Sequence, residues 1–465
     1  MLGISNNVCC RFAASDTSYL IPNGSYLMRM LVARTMAILV PTLLLWTSAR
    51  AQDTRPPEGV RLALTYTPGT RPAVLVLPVD GADGDSVRRI LERDLDFDDR
   101  VTLISLDATA ARSLLPRPGD EIDFGRLAPF GATAIVEPRL TPAGLTMRVY
   151  DVGARKLARE ADFTMPVDVY GPGWRMALHG VSDELGLWIF GVRGAAQTRV
   201  LYTGGDGQIW MIDSDGANAR RLTSVELALS PSWRPDGSGF AFAGVSAGRW
   251  RLGVSGLAAG STRWLRAIQP RGIAITPAFA PDGRSIAYAH GDEGGTSLWL
   301  ASASDEGAPR RLTAPRSGDN TGPSFDPAGR RLVFTSGRAG RPDLYLMDAD
   351  GTNAQPLTTS SLALRSDNAS PDWSPDGVRV VYQAQIGGSF QIATLALRDR
   401  SVKQHTSDGE NEDPSWAPDS RHVVFSSTRT GVRQLWIVDT ESGRLRQLTR
   451  AAGARLADWS PVLIR

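Results

Sequence analysis

One short motif, repeated six times, constrains this chain more than anything else in it. It reads Pro, any residue, aromatic, any residue, Pro-Asp-Gly, then alternating apolar residues. Copies stand at Pro231-Ser-Trp-Arg-Pro-Asp-Gly237, Pro277-Ala-Phe-Ala-Pro-Asp-Gly283, Pro323-Ser-Phe-Asp-Pro-Ala-Gly329, Pro371-Asp-Trp-Ser-Pro-Asp-Gly377 and Pro414-Ser-Trp-Ala-Pro-Asp-Ser420, with a truncated one at Ala457-Asp-Trp-Ser-Pro461. The aromatics fall at 233, 279, 325, 373, 416 and 459, spaced 46, 46, 48, 43 and 43 residues apart. A period of that length, carried by strands and tight turns, marks a β-propeller.

One unit illustrates the blade. Pro323-Ser-Phe325 reads as the first strand, Arg331–Thr335 as the second, Leu344–Met347 as the third and Ala354–Thr358 as the outer one. A proline in that last strand is tolerable because it is an edge. The copy at 251–266 is degenerate. Arg199-Val-Leu-Tyr-Thr203 looks like a second strand with no motif before it, and Ala457–Pro461 like a first strand with little after it. Together they complete one blade, so the expectation is five contiguous blades and one split blade, closed by strands from both ends of the array. Closure removes the free edges an open array would leave.

In such a ring the first strands line a central channel, and the Pro-Asp-Gly and Asp-x-Asp-Gly turns share one face. The opposite mouth carries the polar loops Asp319-Asn-Thr-Gly322, Ser366-Asp-Asn368 and Asn411-Glu-Asp413. A partner is expected there, on Asp319, Asn320, Thr321, Ser366, Asp367, Asn368, Glu412 and Asp413.

The repeat is absent upstream of 196. Residues 1–51 read as an export leader: Arg29 and Arg34 precede the apolar run Thr35–Trp46, and Ala49-x-Ala51 suits signal peptidase, so cleavage is expected after Ala51. Met28 or Met30 are alternative starts, and both cysteines, Cys9 and Cys10, lie in the leader. The apolar run is too short to span a bilayer. Residues 60–195 read as a small α/β domain in which helices at 85–95 and 174–189 cover a sheet of strands near 73–78, 101–104, 132–136, 145–150 and 157–163. The whole is an α/β N-terminal domain followed by an all-β six-bladed propeller over 196–465.

The first 51 residues hold four arginines and one aspartate; the rest carries 47 basic against 48 acidic side chains. A near-neutral body argues against nucleic acid. Gly244-Val-Ser-Ala-Gly248 spells a nucleophile elbow but falls between two expected strands, without the following helix that motif needs. Asp236, Asp282, Asp376 and Asp419 read as turn residues. Asp213-Ser-Asp-Gly216 and Asp348-Ala-Asp-Gly351 start like calcium loops but lack the later glutamate. The four histidines (179, 290, 405, 422) have no metal-ligand spacing. No cofactor or metal is expected.

From about Gly59 to Arg465 the chain resembles the TolB family of the Tol–Pal cell-envelope system. The repeats and the terminal Ala457-Asp-Trp-Ser-Pro461 carry the resemblance. It implies a non-catalytic periplasmic adaptor that binds the peptidoglycan-associated lipoprotein Pal at the propeller mouth and supports outer-membrane integrity and constriction during cell division. It also implies a segment near 52–70 that engages the inner-membrane protein TolA or folds back onto the body, best matched by Val60, Arg61, Leu62, Ala63, Leu64, Thr65 and Tyr66. The family's Asn-Thr at the Pal-facing mouth matches Asn320-Thr321, while the family's loop histidine is replaced by Ile273-Ala-Ile-Thr276. Other outer-membrane or periplasmic proteins are possible further partners. The alternatives are a secreted propeller that binds a small molecule or glycan in its channel, and a peptidase- or lyase-like propeller enzyme.

Overall fold

Among residues 71–463, the computed structural model describes all but 82, 114–121, 170, 259, 267–271, 315–316 and 359–366. The expected leader, the segment Val60–Tyr66 and Ser366 therefore lie outside the described residues.

Six four-stranded antiparallel sheets make the ring. Blades 1 to 5 span 227–264, 273–311, 320–356, 368–404 and 411–447. Blade 6 joins Arg455–Trp459 to Arg199–Thr203, Ile209–Asp213 and Arg220–Arg221. Asp458 pairs with Leu201 and Trp459 with Val200. Arg199 and Ser460 exchange bonds, Ser460 N–H to Arg199 O at 2.8 Å and Arg199 N–H to Ser460 Oγ at 2.9 Å. The split-blade expectation holds, and the degenerate copy forms a complete blade with a long hairpin, Gly239–Ser246 against Arg249–Gly256.

Alternation along the second strands explains the core. Phe240, Phe242, Phe334 and Phe425 are fully buried between neighbouring sheets, where such rings contribute about 3–5 kcal/mol each against alanine. The Leu-Thr endings have a bonding role. Thr223, Thr313, Thr358, Thr406 and Thr449 each accept, at 2.9–3.0 Å, a backbone N–H of the third strand of their blade. Blade 1 has Arg266 there instead.

Every first strand carries a β-bulge just before the motif proline. The residue at that point has positive φ in all six blades: Ser230, Thr276, Gly322, Ser370, Asp413 and Leu456, between 47° and 57°. Only one is glycine, so five blades accept a left-handed residue at a cost of order 1 kcal/mol each. The bulge re-aims each strand toward the axis.

Ahead of the ring lies a five-stranded mixed sheet in the order Thr102–Ile104, Ala73–Val76, Ala134–Thr141, Gly144–Asp151, Lys156–Thr164. The first three strands are parallel and the last two antiparallel. Helix Gly84–Phe97 turns Val87, Ile90, Leu91 and Leu95 onto this sheet. Helix Pro172–Phe190 begins with proline in its first turn, ends on Gly191 at φ 82°, and packs Trp174, Leu178, Val181, Leu185 and Ile189 beside it. No helix among the described residues is long and apolar enough to cross a membrane.

Candidate functional site

The ring has two faces, and the α/β layer sits on the one bearing the tight turns. Phe97, at the end of its helix, stacks on His422 with ring centroids 4.6 Å apart. Arg446 lies 4.9 Å over the same Phe97 ring and donates to Phe97 O at 2.6 Å. Arg444 reaches Asp96 and Asp99, both at 2.8 Å. The helix's free carbonyl end and its acidic tail thus meet two guanidiniums of blade 5. A second anchor uses blade 6: Asp215 takes Arg93 at 2.6 Å and Arg175 Nε at 3.1 Å. Asp94 sits 2.7 Å from His179 Nδ1. Burial alone would lower His179, but Asp94 and Asp215 outweigh it and hold it up at about 9. The turn Asp213–Gly216, which starts like a calcium loop, is this docking point. Asp99, His422 and Asp439 also converge, their ligand atoms within 4.8 Å of one another. Arg421, Arg444 and Arg446 occupy those carboxylates, so charge is balanced within the protein.

The motif aspartates behave as turn residues. Asp236, Asp282, Asp376 and Asp419 each accept the backbone N–H two residues on, at 2.9, 2.8, 3.1 and 2.9 Å. Ser246 ends a strand in a tight β-hairpin, paired with Arg249, and no helix follows it.

The opposite mouth is free of the α/β layer among the described residues. Asp319 is exposed and accepts Thr296 N–H at 2.9 Å, which ties the inter-blade loop to the neighbouring hairpin. Asn320 is fully buried: its amide donates to Gly318 O at 2.6 Å and its oxygen accepts Ser336 Oγ–H at 2.8 Å. Asn368 is likewise buried and donates to Asp343 at 2.8 Å. Both amides hold loops rather than face solvent. Asp367 pairs with Arg341 at 2.6 Å, and Glu412 pairs with Arg433.

Thr321 stands half-buried on the rim, at the last ladder position before the bulge. The same position carries Leu229, Ile275, Ala369, Glu412 and Arg455 in the other blades. The rim therefore grades from apolar at blades 1 and 2, through small at 3 and 4, to charged at 5 and 6. Ile273, 45% exposed, extends the apolar side.

Inside the channel lies a feature the motif hides under "any residue". The residue before the aromatic bonds the backbone N–H of the next blade's aromatic: Ser232 to Phe279 at 3.2 Å, Ser324 to Trp373 at 3.0 Å, Asp372 to Trp416 at 2.8 Å, Ser415 to Trp459 at 3.1 Å and Asp458 to Trp233 at 2.6 Å. Ala278 breaks the series. Each carboxylate keeps some surface on the channel yet is otherwise enclosed. Burial pushes Asp458 up to about 7 and Asp413 up to about 6, with Asp372 adding to the first and Glu412 to the second; it raises Asp372 too. The periodic Ser/Asp at this position was the available signal.

A family model for the TolB β-propeller domain matches residues 188–463. Among curated proteins, the Tol-Pal system protein TolB of Chromobacterium violaceum is 27% identical over 237 residues, covering 49% of this chain and 52% of that protein. The one from Methylococcus capsulatus is 30% identical over 204 residues, covering 41% and 46%. The chain spans about half the length of the curated relatives it matches. The crystal structure of TolB from Acinetobacter baumannii superposes with a TM-score of 0.72 at 22% identity, covering 84% of this chain and 97% of that one. This likeness bears on the fold.

Proposed function

The chain belongs to the TolB β-propeller family, and on that premise we propose that it is a non-catalytic adaptor of the Tol–Pal system, working in the periplasm after export. In this reading the lipoprotein Pal sits on the free mouth and TolA takes the segment Val60–Tyr66, which links the two membranes during constriction. The supporting observation is the division of faces: the α/β layer engages the turn side through Arg444, Arg446 and Asp215, which leaves the graded rim for a partner. Asp319, Thr321, Asp367, Glu412 and Asp413 are its contact residues, with Asn320 and Asn368 fixing the loops behind them. Because Ile273 and Ile275 stand where the family has a histidine, apolar contact carries more of the binding on that side.

The test is capture of a Pal periplasmic domain by the mature chain. Thr321→Arg should weaken capture at least about tenfold, roughly 1.4 kcal/mol, with the melting temperature unchanged. Deleting 52–70 should abolish TolA capture alone. Pal capture that ignores every rim substitution sinks the site.

A further inference from the structure

The seam between blades 1 and 2 repeats, two seams further round the ring, the seam between blades 5 and 6 that seats the α/β helix end. In blade 5 the outer-strand residue Arg446 pairs with Ile437; in blade 1 its counterpart Arg263 pairs with Val254. The following turns correspond as well, Ser214-Asp215 in blade 6 and Ala303-Ser304 in blade 2. At the first seam, Arg446 and Arg444 hold the acidic run Asp96-Phe97-Asp98-Asp99 by carbonyl, carboxylate and ring contacts.

At the second seam nothing in the chain takes that place among the described residues. Two adjoining cavities of about 580 and 540 Å³ share Arg263 and Ser304. One is lined by Arg234 and Arg284, the other by Arg251, Arg266 and Trp264. Arg263 donates to Ala303 O at 2.5 Å, as outer-strand cations do at other seams: Arg310 to Asp350 O and Lys403 to Thr440 O, both at 2.5 Å. Arg284 has counterparts at those seams, Arg330 and Arg421, but Arg234, Arg251 and Arg266 are added only here. Arg251, Arg263, Arg266 and Arg284 make no ion pair among the described residues. Arg234 has Asp236 at 3.3 Å. Of the acids present, Asp305 accepts the Arg266 backbone N–H at 2.7 Å and Glu306 lies on the wall.

We propose that the groove between blades 1 and 2 docks an acidic segment of a partner protein, an aromatic residue flanked by aspartates or glutamates, in the manner of Asp96–Asp99 at the seam between blades 5 and 6. Guanidiniums in surplus favour carboxylates through charge-assisted, forked hydrogen bonds. The exposed face of Trp264 and the arginine stems supply the apolar contact for the ring. The proposal is independent of the mouth and its partners.

The experiment is fluorescence anisotropy of a labelled peptide Asp-Leu-Asp-Phe-Asp-Asp, the sequence of 94–99, titrated with the mature chain at low salt. Saturable binding is expected, and Arg251→Glu with Arg284→Glu should weaken it at least tenfold. Neither guanidinium has a hydrogen bond among the described residues, so melting should be unchanged; Arg263→Glu is the harsher variant. Replacing the peptide's Phe by Ser should also weaken binding. No saturation, binding indifferent to both charge reversals, or displacement by inorganic polyphosphate as effective as by the peptide itself would each overturn it. Pal capture should be unaffected by these variants.

Discussion

The backbone N–H of Trp233 donates to the carboxylate of Asp458 at 2.6 Å, across 225 positions of sequence. The Trp233 indole N–H adds a bond to Asp458 O at 3.1 Å. Blade 1 is thereby fastened to the borrowed inner strand of blade 6, and the ring is closed by side chain as well as by packing. Asp458→Ala should cost about 1–3 kcal/mol, since it leaves an enclosed donor without a partner. Chemical denaturation with an unchanged midpoint would show that packing alone closes the ring.

Asp458 also sets a pH dependence. Its carboxyl is raised to about 7 in the fold against about 4 unfolded. The native state therefore binds the extra proton between those values, and stability falls as pH rises from about 4 to about 7. Asp413, at about 6, acts in the same sense. Asp458→Asn keeps an acceptor for Trp233 and should flatten part of that slope in melts across this range.

His179 works with the opposite chemistry. Its folded value of about 9 lies above the unfolded value of about 6.5. Its contribution is fully present below pH 6.5 and lost as pH rises through 9. His179→Gln should therefore destabilise at pH 6 by about 1–3 kcal/mol and much less at pH 9.5. Equal loss at both would remove the charge from the explanation.

Phe97→Ala removes the ring held between His422 and Arg446. The expected cost is about 2–3 kcal/mol for a half-buried phenyl. The α/β layer should then melt ahead of the propeller in calorimetry. A single unshifted transition would mean the charge contacts suffice.

Ala278 is the one gap in the ring of inter-blade bonds. Ala278→Ser restores a hydroxyl facing the Phe325 N–H and should stabilise by about 0.5–1 kcal/mol. A neutral or negative effect would place that N–H elsewhere.

Much of the fold was legible because the blade imposes a rhythm on the sequence. The aromatic at each first strand, the alternating second strand and the threonine closing the fourth repeat visibly, and the orphaned ends of the array give the split blade. Side-chain direction was not legible in the same way. Asn320 and Asn368 look like solvent-facing loop residues, yet a polar side chain at a strand start can turn inward when backbone groups await a partner, as Gly318 O does for Asn320. Asp372 and Asp458 were hidden because a position free to vary within one blade is constrained by its neighbour, a relation no single repeat displays. The docking of Phe97 on His422 joins segments more than 300 residues apart, beyond the reach of any local pattern.

The borrowed strand Arg455–Trp459 has a consequence for synthesis. On the ribosome, the hairpin Arg199–Asp213 emerges ahead of the rest of the ring and must wait for some 240 further residues before its inner partner exists. Throughout that interval its unpaired flank is an adhesive surface, open to mispairing with strands of later blades or of neighbouring nascent chains. Final assembly must therefore come late, and it can be delayed by anything that occupies that flank in the meantime.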